Sequence, residues 1–199
     1  MADSMTPDKF YSMRQDDYKK RGSTAAGRIA KTLEANEKPG SIVVDIGCGN
    51  GIESNYLSSK GFCVIPMDFS REAVGYAKAM GISPILADAT NIPVKDNSVD
   101  SILCSYFFCN LQESELGILL SEASRILVPG GRVYFSTHPK LDGKERDYAS
   151  VIDDIEDAPN YFNSLAIHGL KPEMENCRSD PKMGPKGLFS TYSGILVKE

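Results

Sequence analysis

The fold is decided by one stretch, Val43-Val44-Asp45-Ile46-Gly47-Cys48-Gly49-Asn50-Gly51-Ile52. An apolar, β-branched run ends at an acid, and three glycines then alternate with other residues before a segment that is compatible with a helix. Glycine reaches turn conformations that other residues avoid, and it allows a backbone to approach a ligand closely. A strand, a glycine turn and a helix N-terminus in this order predict a site for a nucleotide-type cofactor.

The spacing of the glycines indicates which cofactor is bound. A dinucleotide fingerprint has glycines at the first, third and sixth positions, and the sixth position here is Ile52. The pattern present is G-x-G-x-G with an acid two residues before it, and it resembles motif I of the class I S-adenosylmethionine-dependent methyltransferases. This resemblance implies S-adenosylmethionine as the cofactor, with contacts from Asp45, Gly47, Cys48, Gly49 and Gly51.

A second signal lies at the end of the next predicted strand, where Asp68 is followed by Phe69. An acid about 20 residues past the glycine turn is placed to accept hydrogen bonds from ribose hydroxyls. The resemblance implies that Asp68 holds the ribose and that Phe69 also contacts the cofactor. The alternative role of Asp68, an N-cap for the following helix, suits Ser70 better.

A third signal is Asp88 with Ala89, directly after another short apolar segment. In the family an acid at this position accepts from the exocyclic amine of adenine, and the next backbone N–H meets a ring nitrogen. The alternative is that Asp88 caps a turn.

Further similarity surrounds the predicted fourth strand. Residues 96–102 resemble the family's lead into that strand, which ends at Ser105 near the methyl group, and residues 125–131 resemble the R-v-L-k-P-G-G turn of the family. The resemblance covers residues 42–137. It is closest to the broad family of small-molecule methyltransferases that includes ubiquinone and menaquinone biosynthesis enzymes, whose members differ in their acceptors.

Alternating strand and helix patterns predict an α/β fold. The strands are predicted at residues 41–46, 62–67, 84–87, 98–105 and 132–137, with helices at 52–60, 71–80 and 113–127. Such alternation gives a doubly wound parallel sheet with helices on both faces. After a predicted helix at 161–167, we expect an extended segment at 173–177, a mobile loop at 178–187 and a final strand at 188–197. The resulting Rossmann-like sheet has seven strands and ends in an antiparallel C-terminal hairpin.

One domain is expected for the chain of 199 residues. Within it, residues 1–38 are predicted to form helices, at 8–21 and 23–35, that cover the site, and Tyr11 and Tyr18 either close over the cofactor or anchor the first helix. Residues 41–137 form the predicted cofactor-binding core. Residues 138–199 supply the acceptor side and the hairpin.

Composition narrows the possible partners. The net charge is −5, and the densest basic cluster is Lys19-Lys20-Arg21, so nucleic acid is disfavoured. No apolar run approaches the ~20 residues that span a membrane, and we expect a cytoplasmic protein. The two histidines, His138 and His168, match no metal-ligand spacing, so no metal site is predicted.

The expected reaction is direct in-line displacement of the methyl group by an acceptor, in which proximity and orientation supply much of the rate. Candidates for a general base or acceptor ligand are His138, Tyr106 and Asn110, at the ends of the fourth and fifth strands. Relatives often carry histidine where this chain has Cys109-Asn110. A non-catalytic S-adenosylmethionine-binding subunit or an activator of a partner methyltransferase therefore stays open. A nicotinamide-dependent oxidoreductase is disfavoured by Ile52.

Overall fold

The computed structural model describes residues 27–137, 163–166, 169–184 and 187–199. Its helices are α1 (Arg28–Asn36), α2 (Ile52–Ser59), α3 (Arg71–Ala79) and α4 (Glu113–Ile126). Its strands are β1 (Ile42–Ile46), β2 (Cys63–Asp68), β3 (Ile85–Leu86), β4 (Val99–Ser105), β5 (Leu127–Thr137), β6 (Leu170–Pro172), β7 (Arg178–Gly184) and β8 (Gly187–Lys198). Short 3₁₀ helices occupy Phe108–Asn110 and Met174–Asn176.

The strands form one mixed sheet in the order β3-β2-β1-β4-β5-β8-β6. Its first five strands are parallel, and β8 is antiparallel to both of its neighbours on this path. The predicted Rossmann-like path of seven strands with an antiparallel C-terminal strand is therefore confirmed. β7 also pairs with β8 and continues along it from β6, since Pro172 pairs with Leu196 and Arg178 pairs with Ser193.

Both faces of the sheet are covered, and β1 shows why its sequence is a continuous apolar run. Val43 and Val44 are both fully buried, and they belong to different core clusters because successive strand residues face opposite sides. Val43 packs in the cluster that contains Leu33 of α1 and Leu57 of α2. Val44 packs in the cluster that contains the apolar stripe of α4.

The predicted mobile loop at residues 178–187 is wrong, because residues 178–184 form β7. This strand pairs with β8 from Arg178 opposite Ser193 to Gly184 opposite Gly187, which makes a hairpin. Proline and glycine in this stretch indicated a loop, but Pro181 is tolerated because β7 has its one described neighbour, β8, on one side. The extended segment expected at 173–177 is also wrong: Asn176 donates from its backbone N–H to the carbonyl of Glu173 and closes a 3₁₀ turn.

Two predicted boundaries change. α1 begins at Arg28 and not at Ser23, because Gly27 has an extended backbone and is the N-cap. β5 begins at Leu127, so residues 128–131 of the R-v-L-k-P-G-G turn lie within a bulged strand and not before it. The predicted helix at 8–21 with Tyr11 and Tyr18 lies outside the described residues, as does most of the helix predicted at 161–167.

The central strand β4 carries one buried polar group that lowers stability. The hydroxyl of Ser101 is buried and is the one side-chain polar atom in the described residues that is buried without a hydrogen-bond partner. We expect Ser101→Ala to raise the free energy of unfolding by about 1 kcal/mol in urea titrations, because the desolvation cost of the hydroxyl disappears. The control Ser54→Ala, which removes a buried hydroxyl bonded to Asp45, should lower it. Destabilisation by Ser101→Ala contradicts this account.

Candidate functional site

The parallel strands bring the predicted cofactor residues to one edge of the sheet. β1, β2, β3 and β4 all end there, and they are followed or ended by the glycine turn, Asp68, Asp88 and Ser105, respectively. The chain runs outward from β1 to β3 and then returns to β4 on the other side of β1. This reversal creates the crevice at which open α/β sheets bind ligands.

The glycine turn after β1 is held by the end of β2. The backbone N–H groups of Gly47 and Cys48 both donate to the carbonyl of Met67, each at 2.9 Å. The N–H of Gly49 donates to Oδ2 of Asp68 at 2.9 Å. Gly47, Gly49 and Gly51 have φ angles of 70°, 57° and 78°, which explains why the turn requires glycine at these three positions.

Phe107, which sequence reasoning missed, lies against this turn. A Cβ built on Gly47 would come within 2.3 Å of the Phe107 ring, so no larger residue fits at Gly47. Phe107 and Gly47 line a cleft together with Asp68, Phe69 and Ala89. Phe69 is 60% exposed at this cleft, and its contact with the cofactor stays a prediction. Aromatic residues after both β2 and β4 thus flank the turn.

Asp45 lies beneath the turn and is 1% exposed. Ser54 of α2 donates a hydrogen bond to its carboxylate. The pKa of Asp45 is raised to about 7, mainly by burial and to a smaller extent by the nearby carboxylates of Glu53 and Asp68, and the Ser54 hydrogen bond opposes this rise. Asp45 therefore supports the turn from within the protein, and Cys48 is likewise buried at 5% exposure, with a thiol pKa that burial raises.

Asp68 accepts hydrogen bonds from two backbone segments, the glycine turn and the start of α3. Its Oδ2 accepts from Gly49 and its Oδ1 accepts from the N–H of Ser70 at 2.8 Å. Ser70 caps α3 as predicted, because its hydroxyl accepts from Ala73 at 3.1 Å. The Asp68 carboxylate nevertheless has a structural role, since it ties the glycine turn to the start of α3. A ribose at Asp68 would share an acceptor that the protein already uses.

Asp88 and Ala89 present a complementary acceptor and donor. Oδ1 of Asp88 accepts from the N–H and the hydroxyl of Thr90, both at 2.8 Å, which confirms the turn-capping alternative. Within the described part of the chain, Oδ2 of Asp88 accepts no hydrogen bond and the N–H of Ala89 donates none. The amine and N1 of adenine would match this pair, so the cap and the adenine role are compatible.

The segment after Asp88 is clamped to α4 by Arg125. The guanidinium donates to the carbonyls of Ile92 at 2.9 Å and Val94 at 2.8 Å, and it also pairs with Glu122 and Asp96. Glu122 in turn accepts from the N–H of Ile92 at 2.8 Å. The arginine of the R-v-L-k-P-G-G turn therefore holds the segment that carries Asp88 and Ala89.

Glu53 is a second residue that sequence reasoning missed. It lies in the first turn of α2. Its carboxylate lies close to Gly27, the N-cap of α1, since a Cβ built on Gly27 would be 3.3 Å from Oε1 of Glu53 and 3.8 Å from the hydroxyl oxygen of Ser105. Burial raises the pKa of Glu53, and hydrogen bonding to Gly27 and Ser105 opposes that rise. The sequence signal that could have identified Glu53 is an acid two residues after Gly51, the last glycine of the turn. Glu53 joins the end of β4 to the N-termini of two helices.

Of the three candidates for a general base or acceptor ligand, the structure describes two. Tyr106 follows β4 at the edge of the site and is 38% exposed. The side-chain amide of Asn110 donates to the carbonyl of Tyr106 at 3.1 Å, which gives it a role in the turn after β4. His138 lies outside the described residues. Within the described ranges no group of three or more His, Cys, Asp or Glu side chains is arranged to hold a metal ion.

Comparison with known proteins shows what this chain is similar to. Residues 44–135 match the methyltransferase domain family. The chain is 33% identical to a demethylmenaquinone methyltransferase of Clavibacter sepedonicus over 59% of this chain and 51% of the relative. It is 38% identical to a malonyl-[acyl-carrier protein] O-methyltransferase of Yersinia pestis over 49% and 37%, respectively. A TehB-like SAM-dependent methyltransferase from Corynebacterium glutamicum has the same fold, with a TM-score of 0.69 at 18% identity over 96% of this chain and 98% of that one.

These similarities confirm the resemblance to the class I S-adenosylmethionine-dependent methyltransferases that the motifs predicted. The sheet order, with an antiparallel strand inserted before the last strand of the path, agrees with that assignment. The chain spans about half the length of the curated relatives it matches. In the described ranges no helix is both long and apolar enough to cross a membrane.

The Arg125 clamp gives a prediction for stability and binding. Arg125→Met should lower the free energy of unfolding by about 2–3 kcal/mol, because it leaves two carbonyls and two carboxylates without their charged donor. It should also weaken binding of S-adenosylhomocysteine, since the adenine-side segment loosens. Lys31→Met, at an exposed position of α1, is the control and should change neither. Denaturant titration and calorimetry measure both effects, and unchanged affinity in a destabilised Arg125→Met protein contradicts the positioning role.

Asp45 gives a prediction for pH. Because its pKa rises from 3.8 to about 7 on folding, its stabilising contribution is complete below about pH 4 and is lost as the pH rises through 7. Asp45→Asn should therefore gain stability relative to the wild type between pH 4 and 7, by up to ~1.4 kcal/mol per pH unit, with no further gain above pH 7. Urea unfolding of both proteins across this range measures the difference. A difference that does not vary with pH shows that the Asp45 carboxyl titrates normally.

Proposed function

We propose that this chain binds S-adenosylmethionine and transfers its methyl group to a small-molecule acceptor. The observation that carries the proposal is the arrangement at the ends of β2 and β3. Asp68 accepts from the glycine turn there, and Asp88 and the next residue, Ala89, offer an acceptor and a donor that no described residue uses. When bound, the cofactor supplies an electrophilic methyl group on a sulfonium. The residues of this chain bind and orient it.

The adenosine half of the cofactor fits the described donors and acceptors. The unused Oδ2 of Asp88 and the N–H of Ala89 are complementary to the amine and N1 of adenine. Asp68 lies between this pair and the glycine turn along the edge of the sheet, which is the order of ribose between adenine and methionine. This correspondence supports the cofactor-binding assignment for the residues predicted from the motifs.

The electrostatics of the site favour a cation. In the described part of the chain, neither Asp45 nor Glu53 forms an ion pair with a basic residue, and burial raises the pKa of both. A sulfonium close to these carboxylates would relieve part of the cost of burying their charge. The neutral thioether of the product would not, so the site favours the substrate form of the cofactor.

The reaction we propose is a displacement without a covalent enzyme intermediate. A lone pair of the acceptor forms a bond to the methyl carbon while the carbon–sulfur bond breaks, and that electron pair stays on sulfur to give S-adenosylhomocysteine. An acceptor proton, where one is present, leaves to solvent or to a base. The described residues contribute by orienting the reactants, which can supply several kcal/mol of the barrier reduction.

The acceptor is proposed only as a class. Two curated relatives of similar identity are named for different acceptors, demethylmenaquinone and malonyl-[acyl-carrier protein], so the shared half of the chain does not select one. The net charge of −5 favours a small molecule over nucleic acid. We also retain, as proposals, the cytoplasmic location, the single domain and the acceptor role of residues 138–199.

Two alternatives differ from this proposal in what they bind or transfer. A nicotinamide-dependent oxidoreductase is disfavoured because the classic dinucleotide sheet has its strands in the order 3-2-1-4-5-6, whereas here antiparallel β8 lies between β5 and β6. A non-catalytic S-adenosylmethionine-binding subunit would share the whole cofactor site. It would bind the cofactor and transfer no methyl group.

Recognition of adenine can be tested by changing one group of the ligand and one side chain of the protein. The wild type should bind S-adenosylhomocysteine about 10- to 100-fold more tightly than S-inosylhomocysteine, in which the amine is replaced by a carbonyl and N1 carries a proton. Asp88→Asn should reduce that preference, because its amide can donate to the carbonyl. The matched variant Asp68→Asn should weaken both ligands and keep the preference. An unchanged preference in Asp88→Asn contradicts the adenine assignment.

Methyl transfer itself is tested with S-adenosylmethionine that carries a tritiated methyl group. The purified chain is incubated with this cofactor and, separately, with the deproteinised small-molecule fraction and the protein fraction of a cell extract. Enzyme-dependent label in the small-molecule fraction is the expected result. Label confined to protein contradicts the proposed acceptor class, and binding of the cofactor without any label favours the non-catalytic alternative.

A further inference from the structure

The residue after β4 has a backbone conformation that its side chain disfavours. Tyr106 has a φ angle of 53°, and the other non-glycine residue with a positive φ in the described ranges is Asn97, at 49°. Asparagine enters the left-handed region readily, but tyrosine does so at a cost, because its Cβ approaches the following carbonyl oxygen. Glycine or asparagine at position 106 would avoid that cost.

The surrounding structure holds Tyr106 in this conformation. Its N–H donates to the carbonyl of Ser136 at 2.8 Å and to the Ser136 hydroxyl at 3.1 Å. Its carbonyl accepts from the side chain of Asn110 at 3.1 Å. The preceding residue, Ser105, is the last residue of β4 and pairs with Ser136 of β5 in the sheet. Strained residues persist where several contacts determine their geometry together, and they cluster at functional sites.

The position of Tyr106 indicates what the strain is for. The residue lies directly after β4, between Ser105, which ends the strand near Glu53, and Phe107, which lines the cleft. Its side chain remains 38% exposed, in contrast to the buried residues 101–104 of β4. The strained backbone thus holds a partly exposed aromatic residue at the end of the strand that borders the candidate site.

We propose that Tyr106 is the residue that positions the methyl acceptor and that this role is the reason its strained backbone is retained. The proposal rests on the proposed methyl transfer. The ring forms one wall of the acceptor's approach to the methyl group, while the hydrogen bonds to Ser136 and from Asn110 fix the backbone that carries it.

The test compares two substitutions at this position with a control. Tyr106→Gly removes both the ring and the strain, and Tyr106→Phe keeps both. Asn97→Gly relieves the other positive φ, at a residue outside the proposed site. For each protein we would measure the melting temperature, the Kd of S-adenosylhomocysteine, and kcat and KM for an acceptor found by tritium transfer with the wild type.

The expected result separates function from stability. Tyr106→Gly should melt within ~2 °C of the wild type or above it, because relief of strain offsets the lost ring contacts. It should bind S-adenosylhomocysteine within about twofold of the wild type but lose about a hundredfold in kcat/KM for the acceptor, since the reactants are misplaced. Tyr106→Phe should keep most of the activity, and Asn97→Gly should keep all of it.

Three results overturn the proposal. One is wild-type transfer by Tyr106→Gly. Another is a melting temperature more than ~5 °C below that of the wild type in Tyr106→Gly with full activity in Tyr106→Phe, which shows a packing role. The third is equal loss in Tyr106→Phe, which shows that the ring alone does not position the acceptor. Absence of transfer by the wild type, with every reaction blank, is a different result and contradicts the proposed function.

Discussion

The hydrogen bonds between the glycine turn and the end of β2 fix the geometry of the candidate site. Two N–H groups of the turn share the Met67 carbonyl, and a third reaches the carboxylate of Asp68. Because the same carboxylate also accepts from Ser70, the turn, β2 and the start of α3 form one unit. The approach of a ligand to this edge depends on that unit. The positive φ angles of the turn require glycines, and because glycine has no side chain, a ligand can come close to the backbone there.

The segment after Asp88, next to the proposed adenine site, is held on the same principle, because charged side chains satisfy its backbone groups. Arg125 holds the carbonyls of Ile92 and Val94, and Glu122 holds the N–H of Ile92. Hydrogen bonds to charged groups are the stronger ones, so a segment without regular secondary structure acquires a defined position. This explains why an arginine at the end of α4, far from Asp88 in the sequence, belongs to a motif that accompanies the cofactor site.

Sequence predicted the parts whose cause is local. The glycine turn, the Ser70 cap and the alternation of strands and helices follow from residue type and spacing, and they agree with the structure to within one or two residues in most elements. β7 was missed because Pro181 and its neighbours are typical of a loop, while its pairing with β8 depends on the hairpin. Glu53 and Phe107 were missed because their roles arise from contacts with residues distant in sequence, which no local pattern records.

The central claim is that this edge of the sheet recognises S-adenosylmethionine. Calorimetric titration of the purified wild-type chain with S-adenosylmethionine, S-adenosylhomocysteine and NADH tests it most directly. The account predicts micromolar binding of both sulfur ligands and none of NADH, because the turn, Asp68 and the Asp88–Ala89 pair fit one adenosine and its methionine. Binding of NADH without either sulfur ligand, or silence from all three, would contradict it.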